Sequence, residues 1–326
     1  MRYFKNFPAT ALSGSVVMTL ALYVSECLPF YSLYPMIMKI AMVIILAIWA
    51  YGSFCLLQNF FFKGLTSKQS DRFELSAWIV STALTGIMVG RIAPLWHGVI
   101  LLTVIFAFVL WLKYVFLVVC ALVNYFRNRF QEVVSPSLLL GAMGTASVAW
   151  LLYFVFDDKL PGIVYESFIV VACLLYVFIL IMIMNNYFRR NIQILLTEWN
   201  APNSLIFGAA ALIGTVALIT KCTHDSFIDA VWLWSAVICA VSTVLEIIFF
   251  FSYEKTFIYD VKHWMRAFSY VMFFVFTRYY YFDHYSDNIF VADIADYGLN
   301  VVTIFLIMQI CYECLALRSM THERPQ

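Results

Sequence analysis

Apolar residues along this chain come in long unbroken runs, and polar residues gather at the joints between them. That is neither the alternation of a half-buried strand nor the one-sided stripe of a soluble amphipathic helix. A helix needs about 20 largely apolar residues to cross a bilayer. Ten runs meet that length, at about 9–27, 36–61, 73–92, 97–126, 136–156, 163–187, 204–221, 227–252, 264–281 and 289–315. The pattern predicts an all-α integral membrane protein, a single transmembrane domain over residues 1–326.

The runs are of two kinds. Odd-numbered runs are short, and four of them hold Gly14, Gly86, Gly90, Gly141, Gly144, Gly208 and Gly214, seven of the 12 glycines in the chain. Even-numbered runs are longer and bulky, rich in Ile, Leu, Val and Phe. Membrane helices pack closely through small residues, because lipid offers little hydrophobic drive between them. Short glycine-bearing helices therefore belong inside, with the long greasy ones outside against acyl chains. The odd runs also start alike, as PATALSGS (8–15), RFELSAWI (72–79), SPSLLLGA (135–142), PNSLIFGA (202–209) and RAFSYVMF (266–273). A serine near each first turn fits a shared N-cap, and an approximate repeat of five helical hairpins fits more of the likeness. The expected architecture is an inner ring of five odd helices around a pore, with an outer ring of five even helices.

Composition agrees with the pattern: 64% of residues are hydrophobic and 12% charged, against about 25% charged in soluble domains. A net charge of +1 carries no nucleic-acid signal. Basic residues set the orientation. Arg2, Lys5, Lys63, Lys68, Arg72, Arg127, Arg129, Arg189, Arg190, Lys255, Lys262, Arg266, Arg318 and Arg324 fall at the termini and even-to-odd joints, 14 of the 20 Lys and Arg. Both termini are thus expected in the cytoplasm. Asp157, Asp158, Asp225, Asp229, Asp283, Asp287, Asp293 and Asp296 collect on the other side.

Enzyme chemistry is not indicated. H-E-x-x-H, G-x-S-x-G and phosphate-cradling glycine loops are missing, and Cys311 with Cys314 lacks the second half of a zinc site. No catalytic residue, metal or cofactor is expected. His97, His224, His263, His284 and His322 fall at helix ends or joints, which weakens the reading as a haem-bearing anchor subunit of a redox enzyme. Lys113 and Glu246 are the deepest ionisable residues, and such positions are functional candidates by default. With cytoplasmic termini, the five odd helices point positive dipole ends at the cytoplasm. Arg72 and Arg266 stand at two of those starts as an anion-attracting vestibule, opposed by Glu74. Ser13, Gly14, Ser81, Gly86, Gly141, Gly144, Gly208, Gly214 and Ser269 are the candidate pore lining.

Phe7-Pro8-Ala9, Pro136-Ser137, and Trp264 with Ala267-Phe268-Ser269-Tyr270, in that order and spacing, resemble the tellurite-resistance/dicarboxylate transporter family. Plant slow-type anion channels are relatives of that family. The likeness spans about residues 7–315. It implies a homotrimer with one five-helix pore per protomer, plugged by a phenylalanine of the ninth helix whose position corresponds to Tyr270 here. Phe268 is then expected to pack against a neighbouring helix. Family prolines that kink the inner helices are replaced around Ser81, Gly141, Gly208 and Gly214. The function expected is a selective anion channel or channel-like anion transporter for chloride, nitrate, dicarboxylate or similar anions, in a bacterial inner membrane. The alternative is a proton-coupled exporter of dicarboxylate, sulfite or tellurite-type oxyanions.

Overall fold

The structure, a computed structural model, describes residues 13–31, 35–62, 69–127, 136–189, 201–252, 263–284 and 289–322. Among the described residues there are ten α-helices and no strand. They are α1 Ser13–Leu22, α2 Pro35–Phe62, α3 Gln69–Ile92, α4 His97–Arg127, α5 Leu140–Phe156, α6 Gly162–Arg189, α7 Leu205–Thr220, α8 Asp225–Ser252, α9 His263–His284 and α10 Ile289–His322. Eight are long and apolar enough to cross a membrane. The other two are α1, part of a shorter apolar helix over Gly14–Cys27, and α9. Hydropathy passes over α9 because Arg266, Arg278 and the tail Tyr279-Tyr280-Tyr281-Phe282-Asp283 dilute its apolar stretch.

Burial divides the helices as the glycine count predicts. The spans of α3, α5 and α7 are 72–94% buried, against 17–33% for those of α2, α4, α6, α8 and α10. On α9 most side chains from Trp264 to Tyr280 are buried. Contacts among the odd helices run in order, α1 on α3, α3 on α5, α5 on α7, α7 on α9, and α9 back on α1. α2 lies against α1 and α3, α4 against α3 and α5, α6 against α5 and α7, and α8 against α7 and α9, while α10 packs on α9.

A polar pin joins each even helix to the odd helix that follows it. Trp49 of α2 donates its indole N–H to Thr82 Oγ1 of α3 at 3.1 Å. Trp111 of α4 does the same to Thr145 of α5, and Trp232 of α8 to Thr277 of α9, both at 3.1 Å. On α6, Tyr176 donates to the Ile206 carbonyl of α7 at 3.0 Å. Thr303 of α10 meets the Tyr23 hydroxyl, just beyond α1, at 2.7 Å. A buried indole N–H needs a partner, and in lipid no water can supply one. Each of these five seams thus carries a polar contact of its own.

The serines at the odd starts do not all cap. Pro136 and Pro202 lie in 3₁₀ turns, Pro136–Leu139 and Ala201–Ser204, where proline's missing N–H costs nothing. Ser204 directs its hydroxyl back to the Ala201 carbonyl at 2.7 Å and caps nothing in α7. α1 ends differently from the rest. It opens into a π-turn, Tyr23–Cys27, and then a 3₁₀ turn, Leu28–Tyr31. Ser25 donates to the Leu22 carbonyl at 3.2 Å within that widened turn.

Candidate functional site

The ends of α1, α3 and α9 bring three polar side chains together. Arg91, in the last turn of α3, donates Nη1 to Glu26 Oε2 at 2.8 Å. Its Nη2 donates to the Tyr279 hydroxyl at 3.0 Å. That hydroxyl in turn donates to the same Glu26 Oε2 at 3.0 Å. Glu26 sits on the π-turn and its side chain is 4% exposed, while that of Arg91 is 32% exposed. Ser25 lies at the other carboxylate oxygen, 3.5 Å away. The triangle is a buried carboxylate with two donors from two helices on one oxygen.

This triangle identifies the interior face of α9. α1 stands between α9 and α3 in the packing order, so a side chain of α9 that reaches Arg91 points across the inner group. At 100° per residue, positions 4, 7 and 11 before Tyr279 share its face. They are Val275, Met272 and Phe268, each buried to within 2%. The same steps back from Arg91 give Ile87, Leu84 and Val80, all at 0% exposure. The faces of α3 and α9 that run on from the triangle are therefore apolar and buried.

Tyr270 is nine residues from Tyr279, half a turn away on the opposite side of α9. Its hydroxyl meets Thr243 of α8 at 2.9 Å, and its ring lies 5.2 Å from that of Phe207 and 5.6 Å from that of Phe305. The side chain expected at the gate is thus wedged among α7, α8 and α10. Phe268, expected to pack against a neighbour, is fully buried and shares the helical face of Tyr279. Sequence identity of the motif and helical phase point to different rings, and phase follows from contacts. Arg266, one turn before Tyr270, pairs with Glu246 of α8 at 2.9 Å. The side chains of Arg72 and Glu74 lie outside the described positions, as does that of Ser13.

The small residues expected as pore lining have the following neighbours. Gly14 abuts the Ala77 backbone of α3, where an added Cβ would stand 3.0 Å from its carbonyl carbon. Gly86 receives Thr103 and Leu151, Gly141 receives Tyr114, and Gly144 faces Ile79. Gly208 and Gly214 receive Ser269 and Phe276 of α9. Ser81 turns its hydroxyl to the Trp78 carbonyl, and Ser269 to that of Met265. The glycine contacts are between helices, the use that lipid-phase packing gives small residues, whereas the two serine bonds stay within their own helices. Lys113 is part-buried on α4. Four histidines begin or end helices, with His97 and His263 at starts and His284 and His322 at ends, and His224 directly precedes α8.

Sequence reasoning missed Glu26, Arg91 and Tyr279 as a group. Arg91 reads as an end-of-helix charge, Tyr279 as an interfacial aromatic, and a π-turn under Glu26 leaves no mark in hydropathy. Neither a protein-family model nor a curated protein matches the chain.

Proposed function

We propose that this chain is an anion channel or channel-like anion transporter of the tellurite-resistance/dicarboxylate transporter type. Its path would follow the axis of a ring formed by α1, α3, α5, α7 and α9, with the gate at Phe268. One observation carries this reading. The face of α9 that meets Arg91 across the inner group bears Phe268 and Met272, both fully buried, as a continuous apolar closure. A dry apolar constriction blocks ions by dewetting and opens once its side chains withdraw. The parallel N-termini of the five odd helices bring positive dipole ends to one end of that axis, and the Arg91 guanidinium, paired with Glu26, stands at the other. By the positive-inside count, the Arg91 end is extracytoplasmic and both termini are cytoplasmic. The outer helices present Ile, Leu, Val and Phe outward, which suits lipid and the subunit contacts of a homotrimer in a bacterial inner membrane.

Purified protein in planar bilayers, under chloride, nitrate and malate gradients, tests the reading. A conductance that reverses at the anion potential supports a channel. Electrically silent uptake into liposomes supports a carrier, for which buried Glu26 is the titrating candidate. No anion movement in either format, with Phe268→Ala included, contradicts the proposal. Native mass spectrometry in mild detergent tests the trimer, and a monomer throughout would remove it.

A further inference from the structure

Glu26 occupies a place that its surroundings build for an anion. Two donors on different helices, the Arg91 guanidinium and the Tyr279 hydroxyl, converge on one carboxylate oxygen at 2.8 and 3.0 Å. The Arg91–Tyr279 bond, 3.0 Å, keeps those donors at that separation without help from the carboxylate. A simple ion pair would need only the arginine. The carboxylate is delivered by a π-turn, a form that is rare and tends to mark functional sites, and one more residue in that turn is what sets Glu26 apart from the α-helical register of α1. Among the described residues the second oxygen has only Ser25, at 3.5 Å. Arg91 is part-exposed while Glu26 is buried, so a small ion can reach the guanidinium from the open end.

We infer that the Arg91–Tyr279 pair is an anion-binding site at the mouth of the path, and that Glu26 is a tethered carboxylate occupying it as a latch. The inference rests on the axial path proposed above and adds what controls its mouth. A chloride, nitrate or carboxylate ion arriving at Arg91 competes with Glu26 for the same donors. With Glu26 in place the site is neutralised and filled, and with Glu26 displaced it presents a guanidinium fork and a hydroxyl. Those groups suit a halide or one face of an oxyanion. The competing structural account makes Arg91 a charge that merely offsets the carboxylate at a helix C-terminus. The two accounts separate when the carboxylate is neutralised without changing its shape.

The test is the thermal stability of the purified full chain in sodium chloride, in sodium nitrate and in sodium gluconate, at constant ionic strength. Wild type should respond little, because Glu26 fills the site. Glu26→Gln should gain a saturable rise in Tm of about 3 °C with chloride or nitrate over gluconate. That rise should vanish in Glu26→Gln with Arg91→Gln, and shrink in Glu26→Gln with Tyr279→Phe. A Glu26→Gln variant whose Tm is insensitive to these anions overturns the latch, as does a rise that survives loss of Arg91. If Glu26→Gln cannot be purified, Glu26→Ala prepared in chloride and in gluconate replaces it. Recovery only in chloride supports the site, and equal failure in both overturns it. Liposome flux on the same proteins keeps the two proposals apart. Arg91-dependent binding without any flux leaves the site standing and removes the transport reading. Flux without anion-dependent stabilisation does the reverse.

Discussion

Two clusters of Glu, Arg and Tyr lie at opposite ends of α9, and they differ in what they face. At one end Glu26, Arg91 and Tyr279 join α1, α3 and α9 across the interior. At the other, Glu246 pairs with Arg266 and Tyr270 bonds Thr243, tying α9 outward to α8. Residue types are the same, though Glu26 is the more deeply buried carboxylate, 4% exposed against 17% for Glu246. The helix face decides the role, because half a turn separates Tyr270 from Tyr279. A buried ion pair is weak evidence of stabilisation but costly to break from one side. The inner pair spends that rigidity where an ion could use its charges. The outer pair spends it on holding two neighbouring helices together.

The sharpest way to break the comparison is to cut each face of α9 in turn. Phe268→Ala should raise anion conductance in planar bilayers at least about tenfold, equivalent to about 1.4 kcal/mol off the barrier. Tyr270→Ala should leave conductance within about twofold of wild type and instead lose roughly 3 kcal/mol of stability, having removed a buried ring and its hydrogen bond. This reverses the expectation drawn from the family motif. Conductance rising in Tyr270→Ala and not in Phe268→Ala would restore the original assignment.

The outer pair should behave as structure alone. Glu246→Gln is expected to cost about 2 kcal/mol, discounted for partial exposure, read as a lower Tm in detergent. Anion selectivity, measured as a reversal potential, should not change. A shift in the chloride-to-nitrate permeability ratio would show that the outer cluster belongs to the path after all.

Glycine substitutions then sharpen the distinction between lining and packing. Gly14→Ala places a methyl against the Ala77 backbone, which cannot withdraw as a side chain can. It should cost about 1–3 kcal/mol. At Gly144 the nearest atom to an added Cβ, on Ile79, is 3.4 Å away. Alanine there should be neutral within about 0.5 kcal/mol. If either substitution changed conductance while leaving Tm intact, that glycine would be lining rather than packing. Small losses are also expected at the indole pins. Trp49→Phe, Trp111→Phe and Trp232→Phe should each cost about 0.6 kcal/mol through the lost hydrogen bond, seen as similar small drops in Tm.

Much of this fold was legible because lipid imposes simple demands. Run length located the helices, and glycine-rich short runs against bulky long ones separated inside from outside. Helix α9 is among the ten runs that length alone marks, at about 264–281, although its charged and tyrosine-rich ends lower its hydropathy. The site was less legible, for two physical reasons. Small residues suit the wall of an opening as well as a close helix contact, and at Gly141 and Gly208 the neighbours Tyr114 and Ser269 leave no room for a Cβ. Reading Tyr270 as the plug needed the phase of α9 about its own axis. Phase is set by partners such as Thr243 and Arg91, which are 27 and 188 residues distant, and no local pattern records them. The Glu26 π-turn was invisible for the same reason.

The claim that matters most is that the path runs along the α9 face bearing Phe268, Met272, Val275 and Tyr279. Single cysteines introduced at these positions and at Tyr270, Phe274, Thr277 and Tyr281, after replacement of the 8 native cysteines, test it directly. A small charged methanethiosulfonate reagent should modify Met272→Cys and Tyr279→Cys and block anion current in a Phe268→Ala background, leaving the second set unchanged. Block confined to Tyr270→Cys and Phe274→Cys would put the path on the other side of α9 and contradict the account.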